Sequence, residues 1–406
     1  MKIAGLITEY NPFHNGHLYH IQKARALTDA DYLIVIMSGD FVQRGAPALL
    51  PKDLRTRMAL NCGASLVIEL PVRYATGSAE FFAFGAVSLL DQLGCVDFLC
   101  FGSECGDIKR LRDLADFFSE ESESFQLLLQ SFLKAGNSYP AARKEAAVQL
   151  LADDTVSSIL NEPNNILGIE YLKALNKRKS TICPVTIQRK GAHYHDESPC
   201  EFFSSATAIR RFFRETKSDA LSLLCGHVPT EVESLCKKTY NTRFPVFSND
   251  FSLLLKYRLL QESCDSLLQW QDVSVPLANR INRQKDQFQN WEQFCDLLKT
   301  RELTYTRISR SLLHICLGIP EHDRSVPPLY ARILGFQKSA SPLLSLLKKK
   351  SSIPLVTKLA NASFDLESAN TMLQEDIRSA DLYESVVTDK FQQPFCNEYR
   401  QSVILV

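Results

Sequence analysis

The feature that most constrains this chain is its first apolar run. Ile3-Ala4-Gly5-Leu6-Ile7-Thr8 is apolar at successive positions rather than at alternate ones. A strand of that kind needs cover on both faces, as in a parallel sheet with helices on each side. The run breaks at Glu9-Tyr10-Asn11-Pro12-Phe13, where Asn11-Pro12 is turn chemistry. Just past His14-Asn15-Gly16-His17 a helical pattern opens, with Leu18, Ile21, Ala24 and Leu27 on one face. A strand that hands two histidines to a helix N-terminus is a natural seat for a phosphate, because backbone N–H groups and the helix dipole both favour negative charge there. Gly16 lets a ligand come close to the backbone, and Pro12 stiffens the approach.

The same alternation continues downstream. Tyr32–Met37 reads as a second strand ending in Ser38-Gly39-Asp40-Phe41-Val42-Gln43-Arg44-Gly45, a glycine-bracketed polar loop. A helix is expected around Lys52–Cys62, a strand at Ser65–Leu70, a helix at Ser78–Leu93, and a strand at Val96–Phe101 that ends in Gly102-Ser103-Glu104. Residues 107–160 read as helical. A further strand, Cys183–Gln188, runs into Arg189, and Ser205-Ala206-Thr207-Ala208-Ile209-Arg210 has Ser/Thr cap chemistry before a helical run. The fold class is therefore α/β, Rossmann-like, with a parallel sheet and right-handed crossovers. Ligands of such sheets bind at the carboxyl ends of the strands, where these polar loops lie. Past about residue 217 clear strands stop and helical segments dominate, Leu329–Gly335 among them. The expected division is an α/β domain over 1–245 and a mostly helical domain over 246–406, with Asn241–Pro245 as linker.

Lys plus Arg equals Asp plus Glu, 46 each, so a polyanionic partner has to be held by a local patch. No apolar run is long enough to span a bilayer, and Glu9, Asn11 and His14 interrupt the first one, so neither a membrane span nor a secretory leader is expected. The 12 cysteines are scattered without a CxxC pair, as for free thiols in a reducing cytoplasm. His193, His195 and Asp196 could hold zinc in principle, but no third histidine lies nearby, and no protein metal site is expected.

His14-Asn15-Gly16-His17 early and Ser205-x-Thr207-x-Ile209-Arg210 late resemble the HxGH (HIGH-type) nucleotidyltransferase superfamily. Residues 5–20, the Ser38–Gly45 loop, Pro163-Asn164-Asn165-Ile166-Leu167 and Gly191–Asp196 are similar, more narrowly, to the bacterial tRNA(Met) cytidine acetate ligase family. That resemblance implies an enzyme, a ligase. It would activate acetate with ATP as acetyl-adenylate and pass the acetyl group to N4 of the wobble cytidine of elongator tRNA(Met), giving N4-acetylcytidine. It implies ATP contacts from Ile7, Thr8, Glu9, Tyr10, Asn11, Pro12, Phe13, His14, Asn15, Gly16, His17 and Leu18, and from Gly102, Asn165 and Arg189. Asp40 and Arg44 would face the substrates.

The chemistry fits such residues. Adenylation is attack of a carboxylate on the α-phosphorus with loss of pyrophosphate, and acetate is already ionised at neutral pH, so no base is needed. Positioning and positive charge are what the protein must supply. His14, His17 and Arg210 are expected to stabilise the transition state, with Ser205 or Thr207 adding a hydroxyl and Mg²⁺ carried on the phosphates. In the second half, basic clusters at Arg280, Arg283 and Lys285 and at Arg307 and Arg310, beside Tyr305, are expected to contact RNA. The rivals are a small-molecule adenylyltransferase making a coenzyme precursor or dinucleotide, and a non-catalytic RNA-binding scaffold.

Overall fold

The structure is a computed structural model that describes residues 1–189, 205–215 and 221–406. Its frame is one sheet with strand order β10-β8-β5-β2-β1-β6-β7. The strands are β1 (Ile3–Thr8), β2 (Tyr32–Ser38), β5 (Leu66–Leu70), β6 (Phe98–Ser103), β7 (Cys183–Gln188), β8 (Ala331–Phe336) and β10 (Ile404–Leu405), with β9 (Leu355–Val356) beside β8. A two-stranded hairpin, β3 (Phe41–Val42) and β4 (Ala46–Pro47), stands apart. Within the large sheet the strands pair in parallel except where β8 runs antiparallel to β5, and the β3–β4 hairpin is antiparallel.

Period two decides which side chain goes where. Ile3 and Ile7 of β1 and Ile34 and Ile36 of β2 join a core on one face, under the helices Ala79–Gln92, Ile108–Ser119 and Pro163–Arg178. Ala4 and Leu6, with Leu33, Val35 and Met37, join a core on the other face, under Asn15–Thr28, Lys52–Asn61 and Thr230–Thr239. A third core, built on Trp291, Phe294, Leu312 and Ile315, lies in the later helices and takes in Phe41 from the hairpin. The 25-residue helix Glu367–Phe391 serves two cores, with Met372, Leu373 and Ile377 in the first and Tyr383, Val386 and Val387 in the third.

The expected helix at Leu329–Gly335 is corrected: Ala331–Phe336 is strand β8. Tyr330-Ala331-Arg332-Ile333-Leu334 is five residues with one charge, a pattern that fits a buried strand or a short helix, and length alone did not separate them. What selects the strand is tertiary. Arg332 lies opposite Glu69 on β5, and the pair is joined at 3.0 Å.

Candidate active site

A cleft of about 3060 Å³ opens along the carboxyl ends of β1, β2, β6 and β7. Its floor is the turn between β1 and the helix Asn15–Thr28. Arg55, fully buried, pins that turn to the β2 loop by donating to the carbonyls of Glu9 (2.7 Å) and Ser38 (3.0 Å), and to that of Gly39. Asn11 is fixed in turn, its Oδ1 accepting from Leu49 N–H at 2.7 Å.

His14 is the N-cap of the helix, an unusual use of an imidazole. Its Nδ1 accepts from Gly16 N–H at 3.0 Å, and His17 Nδ1 accepts from His14 N–H at 3.2 Å. The two rings stack with centroids 3.8 Å apart. A Cβ at position 16 would fall 2.8 Å from His14 Cε1, so the cap needs glycine there. Burial, reinforced by Arg189 and Arg210, pushes the His14 pKa down to about 3. Burial also lowers His17, with His14 and Arg189 adding to it. Both rings are therefore neutral at pH 7. With each Nδ1 spent as an acceptor, each ring carries its proton on Nε2. The cleft is thus lined by two fixed N–H donors that bring no net charge.

Arg210 closes the opposite side. It lies on the helix Ala206–Glu215 and reaches across to donate to Asn11 O at 2.6 Å, which brings the early and late motifs together. Its other nitrogen takes Thr207 Oγ1 at 3.1 Å, while Ser205 Oγ caps the helix by accepting from Ala208 N–H at 3.2 Å. Gly102, the penultimate residue of β6, lies under the Arg189 side chain, whose Cγ would be 3.3 Å from a Cβ at that position. Arg189 stands 3.9 Å from Glu104.

Not every expected residue reaches the cleft surface. Ile7, Thr8, Glu9, Tyr10, Asn11, His14, Gly16 and His17 line it, whereas Pro12, Phe13, Asn15 and Leu18 do not. Phe13 packs beneath, 4.7 Å from the Tyr10 ring, and Asn15 Nδ2 is taken by Gly226 O at 2.8 Å. Asn165 lies below the wall, 2% exposed, with Oδ1 accepting from the N–H groups of Glu104 and Cys105 and Nδ2 donating to Ile159 O. Its neighbour Asn164 is the one that lines the cleft.

Arg44 lines the cleft, but Asp40 turns away from it. Asp40 accepts from Lys52 N–H at 2.7 Å, lies 3.8 Å from Lys52 Nζ, and is pushed up to about 6 by its burial. Arg307 and Arg310 line the cleft, Arg310 joined to Asp272 at 3.4 Å. Arg280 donates instead to Leu297 O and Lys285 to Glu262 O, while Arg283 is exposed. His193, His195 and Asp196 lie outside the described residues.

Sequence reasoning missed Glu104, which accepts from Asn164 Nδ2 at 2.5 Å and from Asn165 N–H at 3.0 Å and so locks the β6 loop to the next helix. Its position directly after Gly102-Ser103 at a strand end was the available signal. It also missed His20, which lines the cleft, has a buried Nε2 with no hydrogen-bond partner among the described residues, and has its pKa lowered by burial to about 4.

A parallel sheet with a histidine pair capping the first helix and a late arginine facing it defines a nucleotidyltransferase-type site. The chain belongs to the HIGH Nucleotidyl Transferase family, which it matches over residues 1–398. Within that class it is 40% identical to the tRNA(Met) cytidine acetate ligase of Acetivibrio thermocellus over the whole of both chains. It is 42% identical to the ligase of the same name from Clostridium kluyveri, over 94% of each. A crystal structure of Thermotoga maritima TmcAL bound with alpha-thio ATP superposes over the full length of both chains with a TM-score of 0.91 at 32% identity. The apo form of that protein gives 0.92 at 33%.

Proposed function

We propose that this chain is an ATP-dependent tRNA(Met) cytidine acetate ligase that works in two steps. Acetate attacks the α-phosphorus of ATP to give acetyl-adenylate and pyrophosphate. The acetyl group then passes to N4 of the wobble cytidine of elongator tRNA(Met). The observation that carries the reading is the pair of neutral histidines, each with Nδ1 already used as an acceptor, in one cleft with Arg210, in a chain kin to such ligases along its whole length. The donors are fixed by backbone hydrogen bonds before substrate arrives, so their alignment on developing charge at the phosphates costs no reorganisation. Neutral donors also leave the acetate anion free to reach phosphorus, where a cationic histidine would form an ion pair with it. Arg210, with a guanidinium on one face of the cleft, suits the departing pyrophosphate.

The described residues offer no cluster of three His, Cys, Asp or Glu side chains, so Mg²⁺ is expected to come as the escort of ATP, supplying charge neutralisation on the phosphates. Arg44 and Arg307 are assigned to the acceptor side, and the setting is taken to be cytoplasmic. The test is ATP–pyrophosphate exchange with a panel of small carboxylates. Exchange should require acetate and fall off with longer chains. Exchange indifferent to the carboxylate, or a stable adenylated product, defeats the reading.

A further inference from the structure

Transfer of an acetyl group to an exocyclic amine releases a proton, and the activation step has no use for a base. Of the acidic residues that line the cleft, Glu9 is the one on the turn that carries the histidine pair. Glu9 follows β1 directly and lines the cleft beside His14 and Asn11. One of its oxygens, Oε1, accepts from Gln43 N–H at 2.9 Å, and its carbonyl is held by Arg55 at 2.7 Å. Among the described residues the other oxygen, Oε2, has no hydrogen-bond donor, so it is the carboxylate's open side. Three other acids on the walls are committed, Glu104 to Asn164 and Asn165, Glu170 to Arg143 and Lys173, and Asp272 to Arg310 and Arg324, and the remaining lining acids, Glu80, Glu121, Glu162, Glu302 and Glu321, lie on elements away from the turn between β1 and the first helix.

Gly102, near the end of β6, and Arg189, just past β7, lie on one side of β1, while the loop with Gln43 and Arg44 follows β2 on the other. Glu9 bridges to that second loop. It therefore stands between the histidine pair and the side where an acceptor base would enter past Arg44 and Arg307. A negative charge there opposes both ATP and acetate, which is a cost to binding unless it serves a later step.

We propose that Glu9 is the general base of acetyl transfer. The cytidine N4 attacks the acetyl carbonyl, the N–C bond forms, the C–O bond to the adenylate phosphate breaks, and AMP leaves with the bonding pair. The N4 proton goes to Glu9 Oε2. This rests on the acetate-ligase function proposed for the chain.

The test is Glu9→Gln, which keeps an oxygen to accept from Gln43 N–H and removes the basic oxygen. Two acyl acceptors are compared at saturating ATP and acetate: tRNA(Met), and hydroxylamine, a strong nucleophile that traps acetyl-adenylate without a base. In the variant the ratio of tRNA acetylation to hydroxamate formation should fall about 100-fold, the low end of what a general base contributes. Glu9→Asp, which keeps a carboxylate, should recover part of that ratio. A ratio within about threefold of the parent, including the case where both products fall together, assigns Glu9 to activation or to folding and overturns the proposal. A parent enzyme that makes no acetate-dependent hydroxamate overturns the ligase reading beneath it, a separate and recognisable failure.

Discussion

Two imidazoles and one guanidinium carry the site, and what fixes their chemistry is which atoms the backbone has already used. His14 and His17 each accept a backbone N–H through Nδ1, so neither can act as a base toward the cleft from that nitrogen. His14→Ala and His17→Ala should each lower the rate of acetate-dependent pyrophosphate exchange by about 100- to 1000-fold, the usual cost of one preorganised donor, with the folded state retained by circular dichroism. Because burial and nearby cations hold His14 near 3, no histidine titration should appear in the exchange rate between pH 6 and 9. Long-range nitrogen–proton NMR should report the Nε2–H tautomer for both rings, and a His14 midpoint near 6.5 would contradict the burial argument. The same shifts set the acid limb of stability. His14 near 3 and His20 near 4 refuse protons that the unfolded chain binds below about 6.5. Stability contributed by these groups is therefore complete above about 6.5 and is lost as pH falls toward 4, which denaturant titrations at pH 7.5 and 5 would measure.

At the scale of elements, the hairpin β3–β4 couples the cleft to the later helices. Gly45 sits at φ 74°, and a Cβ there would fall 2.4 Å from Arg310 N on the helix Tyr305–Leu317. Ser309 Oγ donates to Gly45 O at 2.7 Å and completes the clamp. Gly45→Ala should cost roughly 2 kcal/mol through strain and overlap together, read as a fall in Tm, and should raise KM for tRNA more than KM for ATP because Arg44 moves with the hairpin. Much of this level could be read from residue order. The apolar run at Ile3–Thr8, the glycines bracketing 38–45, and the cap chemistry before Ile209 each announce an element through local rules. The contact of Gly45 with Arg310 could not be read, because it joins residues 265 positions apart through backbone proximity alone. Asn165 and Asp40 show a related limit. Polar residues in a loop at a sheet edge can face the ligand or hold the loop, and only the partners decide. Asn165 found the Glu104 and Cys105 amides, and Asp40 found Lys52.

At the scale of the molecule, the C-terminal segment completes the sheet rather than standing beside it. Lys52 Nζ lies 2.7 Å from Glu69 Oε1 and 2.5 Å from Glu398 Oε1, and Arg332 Nη1 reaches Glu398 Oε1 at 2.6 Å. All four groups are buried. Charges so far from water are tolerated only in each other's company, so Glu398→Ala should cost about 3–5 kcal/mol, while replacing the whole cluster with apolar residues of equal volume should cost far less. Urea unfolding of the single and the combined variants separates these outcomes. No sequence rule pairs position 52 with position 398, which is why the last strands escaped a reading built on local pattern. The resemblance carried by His14–His17 and Ser205–Arg210 nonetheless reached the family, because those short stretches are held by the chemistry of the site. The measurement that tests the account most directly is reconstitution of the complete reaction: purified protein, ATP, Mg²⁺, labelled acetate and elongator tRNA(Met) transcript, followed by nucleoside mass spectrometry. The account predicts one acetyl group per tRNA, on the wobble cytidine, dependent on ATP and on His14. ATP consumption without N4-acetylcytidine would contradict it.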